Sequence, residues 1–129
     1  MMKQTHIAVG VAVTISIVVQ DPISVLGVIG SVAPDWDKPL GMKHREITHS
    51  ILALVITTAA INNFNKSIAL TWGISYITHI LVDAITIMGV PLFFPIKKKF
   101  GIKMLKTGGM GEYVLQFLAV VFIMYKYLK

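Results

Sequence analysis

Residues 68–88 read IALTWGISYITHILVDAITIM. A helix needs about 20 apolar residues to cross a bilayer, and this run has that length. It nevertheless carries an imidazole, His79, and a carboxylate, Asp83, four positions apart. That spacing projects both groups from one helical face, a single turn apart. Ser75 and Thr86 extend the same stripe. Ionisable groups inside an apolar span are costly unless they are paired or bound to a metal. The pair is therefore either a buried His–Asp hydrogen bond that locks helices together, or two ligands of one ion.

The remainder of the chain has the same oily character. Of its 129 residues 55% are hydrophobic and 14% charged, and the mean hydropathy is +0.74. Soluble domains carry about a quarter charged residues, so this chain has too little charge to cover a water-exposed globule. Four further apolar segments, 7–19, 23–33, 47–61 and 113–128, flank the long one. The expectation is an all-α integral membrane bundle of four to five short helices, with residues 1–129 forming one domain. Asp21-Pro22 separates the first two segments, 62–66 form a polar turn, and Gly89 and Pro91 stop the fourth segment. Residues 1–19 have the outline of a signal peptide, but no small-residue cleavage pattern follows them, and they read as a retained first helix. The segments 7–19 and 23–33 are short for spanning, which implies a re-entrant helix or a locally thinned bilayer.

Cysteine is absent, so any metal is held by nitrogen and oxygen; this favours zinc or manganese, one ion or two. The net charge is +6. Anionic lipid headgroups account for it, and no nucleic-acid partner is expected. With successive helices reversing direction, Lys3, Lys38, Lys43, Arg45, Lys97, Lys98, Lys99, Lys103 and Lys106 fall on one side, and Lys66, Lys126 and Lys129 on the other. The positive-inside rule makes the first side cytoplasmic.

The residues able to do chemistry gather on that first side: His6, Asp35, Asp37, His44, Glu46, His49, His79, Asp83 and Glu112, with Asp21 alone opposite. Asp35 and Asp37 stand i, i+2 directly after a helix, a spacing that lets one or both oxygens reach a shared cation, although taken alone a polar turn with Trp36 as interfacial anchor explains them better. His44 and His49 are five apart, so His44 is expected before the third helix and His49 in its first turns, with Thr48 as N-cap. His6 is read as capping the first helix, and Glu112 as opening the last, where the helix dipole favours an acid. Asp35, His49, His79 and Asp83 are the central candidate ligands. His6, Asp37, His44 and Glu112 are candidates to complete a second metal site or to act as base, and Arg45 to contact a substrate anion.

The blocks Pro34-Asp35-Trp36-Asp37, His44-Arg45-Glu46-Ile47-Thr48-His49-Ser50 and Thr78-His79-Ile80-Leu81-Val82-Asp83, followed by Thr86, Gly89-Val90-Pro91-Leu92 and Pro95, resemble the YdjM-like family of membrane-bound metal-dependent hydrolases. The resemblance runs from His6 to about Glu112. Glu46 stands where that family has Gly, and Thr78 where it has Ser; neither change removes a candidate ligand. The family is in turn distantly similar to the helical zinc phospholipase C and P1 nuclease group. That similarity implies phosphoester hydrolysis at a zinc cluster, with His6, Asp35, His49, His79 and Asp83 at ligand-like positions. The expected function is metal-dependent hydrolysis of a phosphoester or lipid-like substrate. The alternatives are a metal-ion transport element and a non-enzymatic membrane protein with a structural metal.

Overall fold

The computed structural model describes residues 3–37, 47–86, 89–90, 92, 96, 101–102 and 109–128, without the side chains of residues 36, 37, 47 and 128. The elements are helical throughout: α1 (Lys3–Gln20), a 3-10 helix over Pro22–Ser31, 3-10 turns over Ala33–Asp37 and Ile47–His49, then α2 (Ile51–Asn62), α3 (Lys66–Ile85) and α4 (Met110–Leu128). The long central helix is the hub. It packs against α1, α2 and the Pro22–Ser31 helix, while α4 leans on α1.

Two helix starts explain the α2–α3 hairpin. Ser50, in extended backbone, accepts from the Ala53 amide at 3.3 Å and begins α2; Asn65 accepts from the Ile68 amide at 3.0 Å and begins α3. Each satisfies one of the amides a helix leaves unpaired at its N-terminus. Asn65→Ala is expected to cost about 1 kcal/mol, measured as a lowered thermal midpoint in detergent with metal content unchanged. The cap at Ser50 corrects the expectation for Thr48. His49 consequently lies in the 3-10 turn before α2 rather than in that helix's first turns. His6, expected as a cap, sits inside the first turns of α1, which begins at Lys3.

The second segment differs more. It is a ten-residue 3-10 helix, and the reason lies in its row of small residues. Three residues per turn eclipse positions i and i+3, which stacks Ser24, Gly27 and Gly30 in one straight row, and all three are buried. The row lies directly on α3. A Cβ at Gly27 would stand 2.5 Å from the Ile68 carbonyl oxygen and 2.6 Å from the Trp72 nitrogen, and one at Gly30 would stand 2.7 Å from the Trp72 carbonyl oxygen. An α-helix would rotate successive members of the row away from this contact. The 3-10 rise of about 2.0 Å per residue also carries ten residues further than an α-helix would, easing the shortness of the segment.

Burial is inverted relative to a water-soluble domain. Fully enclosed side chains include Thr5, His6, His49, Thr71, His79, Asp83 and Glu112, whereas Val19, Val55, Leu81, Phe117, Phe122 and Tyr125 face outward. Hydroxyls and imidazoles inside with aliphatics outside is the arrangement a lipid solvent favours. Among the described residues, α3 is long and apolar enough to cross a membrane by length and composition, with Pro22–Ser31 and Ile51–Asn62 as shorter apolar helices. Gly89, with φ +67°, turns the chain after α3 in the left-handed region that Gly occupies freely.

Candidate metal centre

Four elements deliver five ionisable residues to one end of the bundle. His6 comes from the first turns of α1, Asp35 from the turn after the 3-10 helix, His49 from the turn before α2, and His79 and Asp83 from the last turns of α3. His49 Nε2 stands 3.1 Å from Asp83 Oδ2 and 3.2 Å from His79 Nε2, and His79 Nε2 stands 3.3 Å from Asp83 Oδ2. Asp35 Oδ1 closes the figure at 3.6 Å from both imidazole nitrogens. One donor atom from each of these four residues lies within 4.8 Å of the others, and all four residues are buried. Four donors bonded at 2.0–2.1 Å to a tetrahedral ion stand roughly 3.3–3.4 Å apart. The spacing and the N/O donor chemistry therefore fit a divalent ion, and the cluster could hold one.

The supporting contacts aim these donors. His79 Nδ1–H donates to the Ser31 carbonyl at 2.6 Å, which fixes the tautomer and leaves the Nε2 lone pair pointing into the cluster. His49 Nδ1 shares a hydrogen bond with the Thr48 hydroxyl at 3.2 Å. Tyr76 donates from α3 to the Thr48 carbonyl at 2.6 Å, tying the Ile47–His49 turn to the central helix. The Thr86 hydroxyl donates to the Asp83 carbonyl at 2.6 Å, closing the end of α3 beneath the carboxylate. Burial of Asp35 opposes its charge, but hydrogen bonds to His49 and His79 outweigh this and hold its carboxyl well below the usual range. Asp35 is thus an anion facing two imidazoles.

His6 occupies a separate place. Its ring stacks on that of His79, centroids 3.6 Å apart, and its Nε2 stands 3.3 Å from Asp83 Oδ1, the oxygen turned away from the four-donor group. Neither ring nitrogen makes a hydrogen bond among the described residues. Glu112 is buried on α4 and accepts from the Thr5 hydroxyl at 2.5 Å, while Gln116 donates to the same hydroxyl at 2.7 Å. Glu112 therefore meets α1 beside His6 rather than joining the four donors. The side chain of Asp37, and His44, Arg45 and Glu46 entirely, lie outside the described residues. Sequence reading missed the Ser31 carbonyl, since a backbone acceptor has no sequence signature. It also missed Thr5 and Gln116. Gln116 carried a weak signal, one helical turn after Glu112.

This fold and site define an all-helical protein with an acid–imidazole centre enclosed at one end of its bundle. The model of the YdjM inner membrane protein family matches residues 1–128, and the chain belongs to that family. No curated protein and no solved structure gives a match.

Proposed function

We propose that the protein is a membrane-bound metal-dependent hydrolase that cleaves a phosphoester, lipid-like in kind, at the cytoplasmic face of the inner membrane. The observation that carries this reading is the convergence of Asp35, His49, His79 and Asp83 at metal-ligand spacing. The ion is zinc or manganese, since all four donors are nitrogen or oxygen. Asp35 stands farther from the imidazoles than Asp83 does and is the most exposed of the four, at 8%. That makes its corner the one at which water and substrate enter, whereas four tightly closed ligands would suit a structural ion. Bound there, a divalent ion lowers the pKa of a coordinated water toward neutrality and polarises a phosphoryl oxygen.

The remaining residues take roles around this centre. His6 Nε2 and Asp83 Oδ1, 3.3 Å apart, are spaced like the donors of the first group and would help to hold a second ion. His44 and Glu112 supply base function, Arg45 steadies the anionic substrate, and Asp37 supports the second ion. The excess of Lys and Arg on that side supports a cytoplasmic orientation. The test is a screen of phosphomonoesters, phosphodiesters and phospholipids with detergent-purified protein. Chelation should abolish hydrolysis, zinc or manganese should restore it, and Arg45→Ala should raise KM about tenfold or more. Full metal occupancy with every phosphoester left intact would refute the enzymatic reading.

Metal transport is the second reading. It is favoured by Thr71 and Ser75, which continue the His79–Asp83 stripe down α3, fully buried and without hydrogen-bond partners among the described residues. Metal uptake into liposomes containing the protein, lost in Ser75→Val, would support transport over hydrolysis.

A further inference from the structure

A groove of about 710 Å³ runs along the outer face of the α2–α3 hairpin, away from the metal cluster. Its walls are apolar over most of their length, with Leu54 and Val55 on α2 and Leu70, Ile74 and Ile77 on α3. One end is charged and polar, formed by Asn62 and Lys66, while Thr58 lines the middle. Gly73 deepens the middle, because a side chain there would press on Thr58, 3.3 Å from a bare Cβ. The buried Thr58 hydroxyl has no hydrogen-bond partner among the described residues.

We infer that this groove is a binding site for one anionic phospholipid, its phosphate at Lys66 and Asn62 and one acyl chain lying along α3 toward Ile77. Length is the first argument. From Lys66 to Ile77 the helix advances about 16 Å at 1.5 Å per residue, and half of a bilayer's hydrocarbon core is about 15 Å. The groove therefore matches one leaflet, with its cation at headgroup depth. Charge is the second argument. Lys66 is exposed and has no acidic partner among the described residues, so its ammonium is available to a phosphate. The smaller groove between α1 and α4 differs in this respect: Lys126, at its end, lies over the Phe122 ring at 5.9 Å. The level of the hairpin tip is marked by Phe64, 91% exposed beside Asn63 and Asn65. An aromatic ring among amides there suits the membrane–water interface.

The lipid is not the substrate of the metal centre. Lys66 opens α3 and Asp83 lies near its other end, about 26 Å along the axis. The phosphate and the metal centre thus occupy opposite membrane faces, and the lipid seats the hairpin that presents His49.

The experiment is native mass spectrometry of the detergent-purified full chain offered phosphatidylglycerol and phosphatidylcholine of identical acyl chains. Wild type should retain one phosphatidylglycerol at least tenfold more than phosphatidylcholine. Lys66→Gln, on the exposed rim where folding is not at stake, should bring the two lipids to near parity. Gly73→Leu should displace both. Equal retention by wild type would overturn the proposal. So would an equal loss on Lys126→Gln, which would mean general charge attraction. A dimer dissociated by Gly73→Leu would overturn it too, by assigning the groove to a second copy of the chain.

Discussion

Asp83→Ala protein, extracted from membranes in normal yield, is expected to carry less than a tenth of the zinc or manganese of wild type by elemental analysis. The two carboxylate oxygens of Asp83 face all three imidazoles of the cluster. Its Oδ2 lies within 3.3 Å of the Nε2 atoms of both His49 and His79, and its Oδ1 faces His6. Removal leaves three imidazoles facing one another, with the farther Asp35 oxygen as the remaining carboxylate of the four-donor group to offset a cation. His79→Ala should behave similarly, because it removes a ligand and the stacking surface for His6 together. Membrane insertion should persist in both variants, since substituting Ala for a buried acid or imidazole only makes α3 more apolar. Asn at position 83 keeps one oxygen without the charge, so Asp83→Asn should retain partial occupancy. Metal content equal to wild type in Asp83→Ala and His79→Ala would remove the assignment of these residues as ligands.

The second large effect is expected from a single methyl group. Gly27→Ala places a Cβ against the Ile68 carbonyl, the Trp72 nitrogen and the Thr71 Cβ at 2.5–2.7 Å. Two of these atoms belong to the α3 backbone, so no side-chain rotation relieves the overlap, and the Pro22–Ser31 helix must move off its partner. Overpacking of this kind costs roughly 1–3 kcal/mol, with the upper end expected against backbone. The shift should also disturb the metal centre, since the Ser31 carbonyl orients His79 and Asp35 follows in the next turn. A thermal melt in detergent should show a clear drop in midpoint together with weakened metal retention. Gly73→Ala is the control. Its Cβ meets only the Thr58 side chain at 3.3–3.4 Å and at 4.0 Å, and the helix propensity gained, about 1 kcal/mol, should offset that contact. Equal destabilisation by the two substitutions would refute the close-packing account of the 3-10 helix.

The His79–Asp83 stripe was legible in the sequence because it is local: four positions along a helix fix a shared face whatever lies opposite. The same holds for the apolar segments, the polar turn before Asn65 and the absence of thiolate ligands. Alternating helix directions sufficed to bring His6, Asp35, His49, His79 and Asp83 toward one end. They did not determine which donors meet. That depends on register between elements, which no local period encodes. Tertiary packing separated Asp35, His49, His79 and Asp83 from His6, turned the two oxygens of Asp83 toward different neighbours, and moved Glu112 onto Thr5. It also chose a 3-10 helix for Pro22–Ser31, where apolar content alone reads as an α-helix. The Ser24, Gly27 and Gly30 row was visible in the chain, but its meaning depends on the α3 backbone lying against it.

The sequence by itself thus determined an oily helical chain with His79 and Asp83 on one face of its longest apolar helix, because solvent preference and helical period are properties of the residues. Only the tertiary structure decided how those groups form a centre, because distances between atoms on different helices are set by how closely their backbones pack.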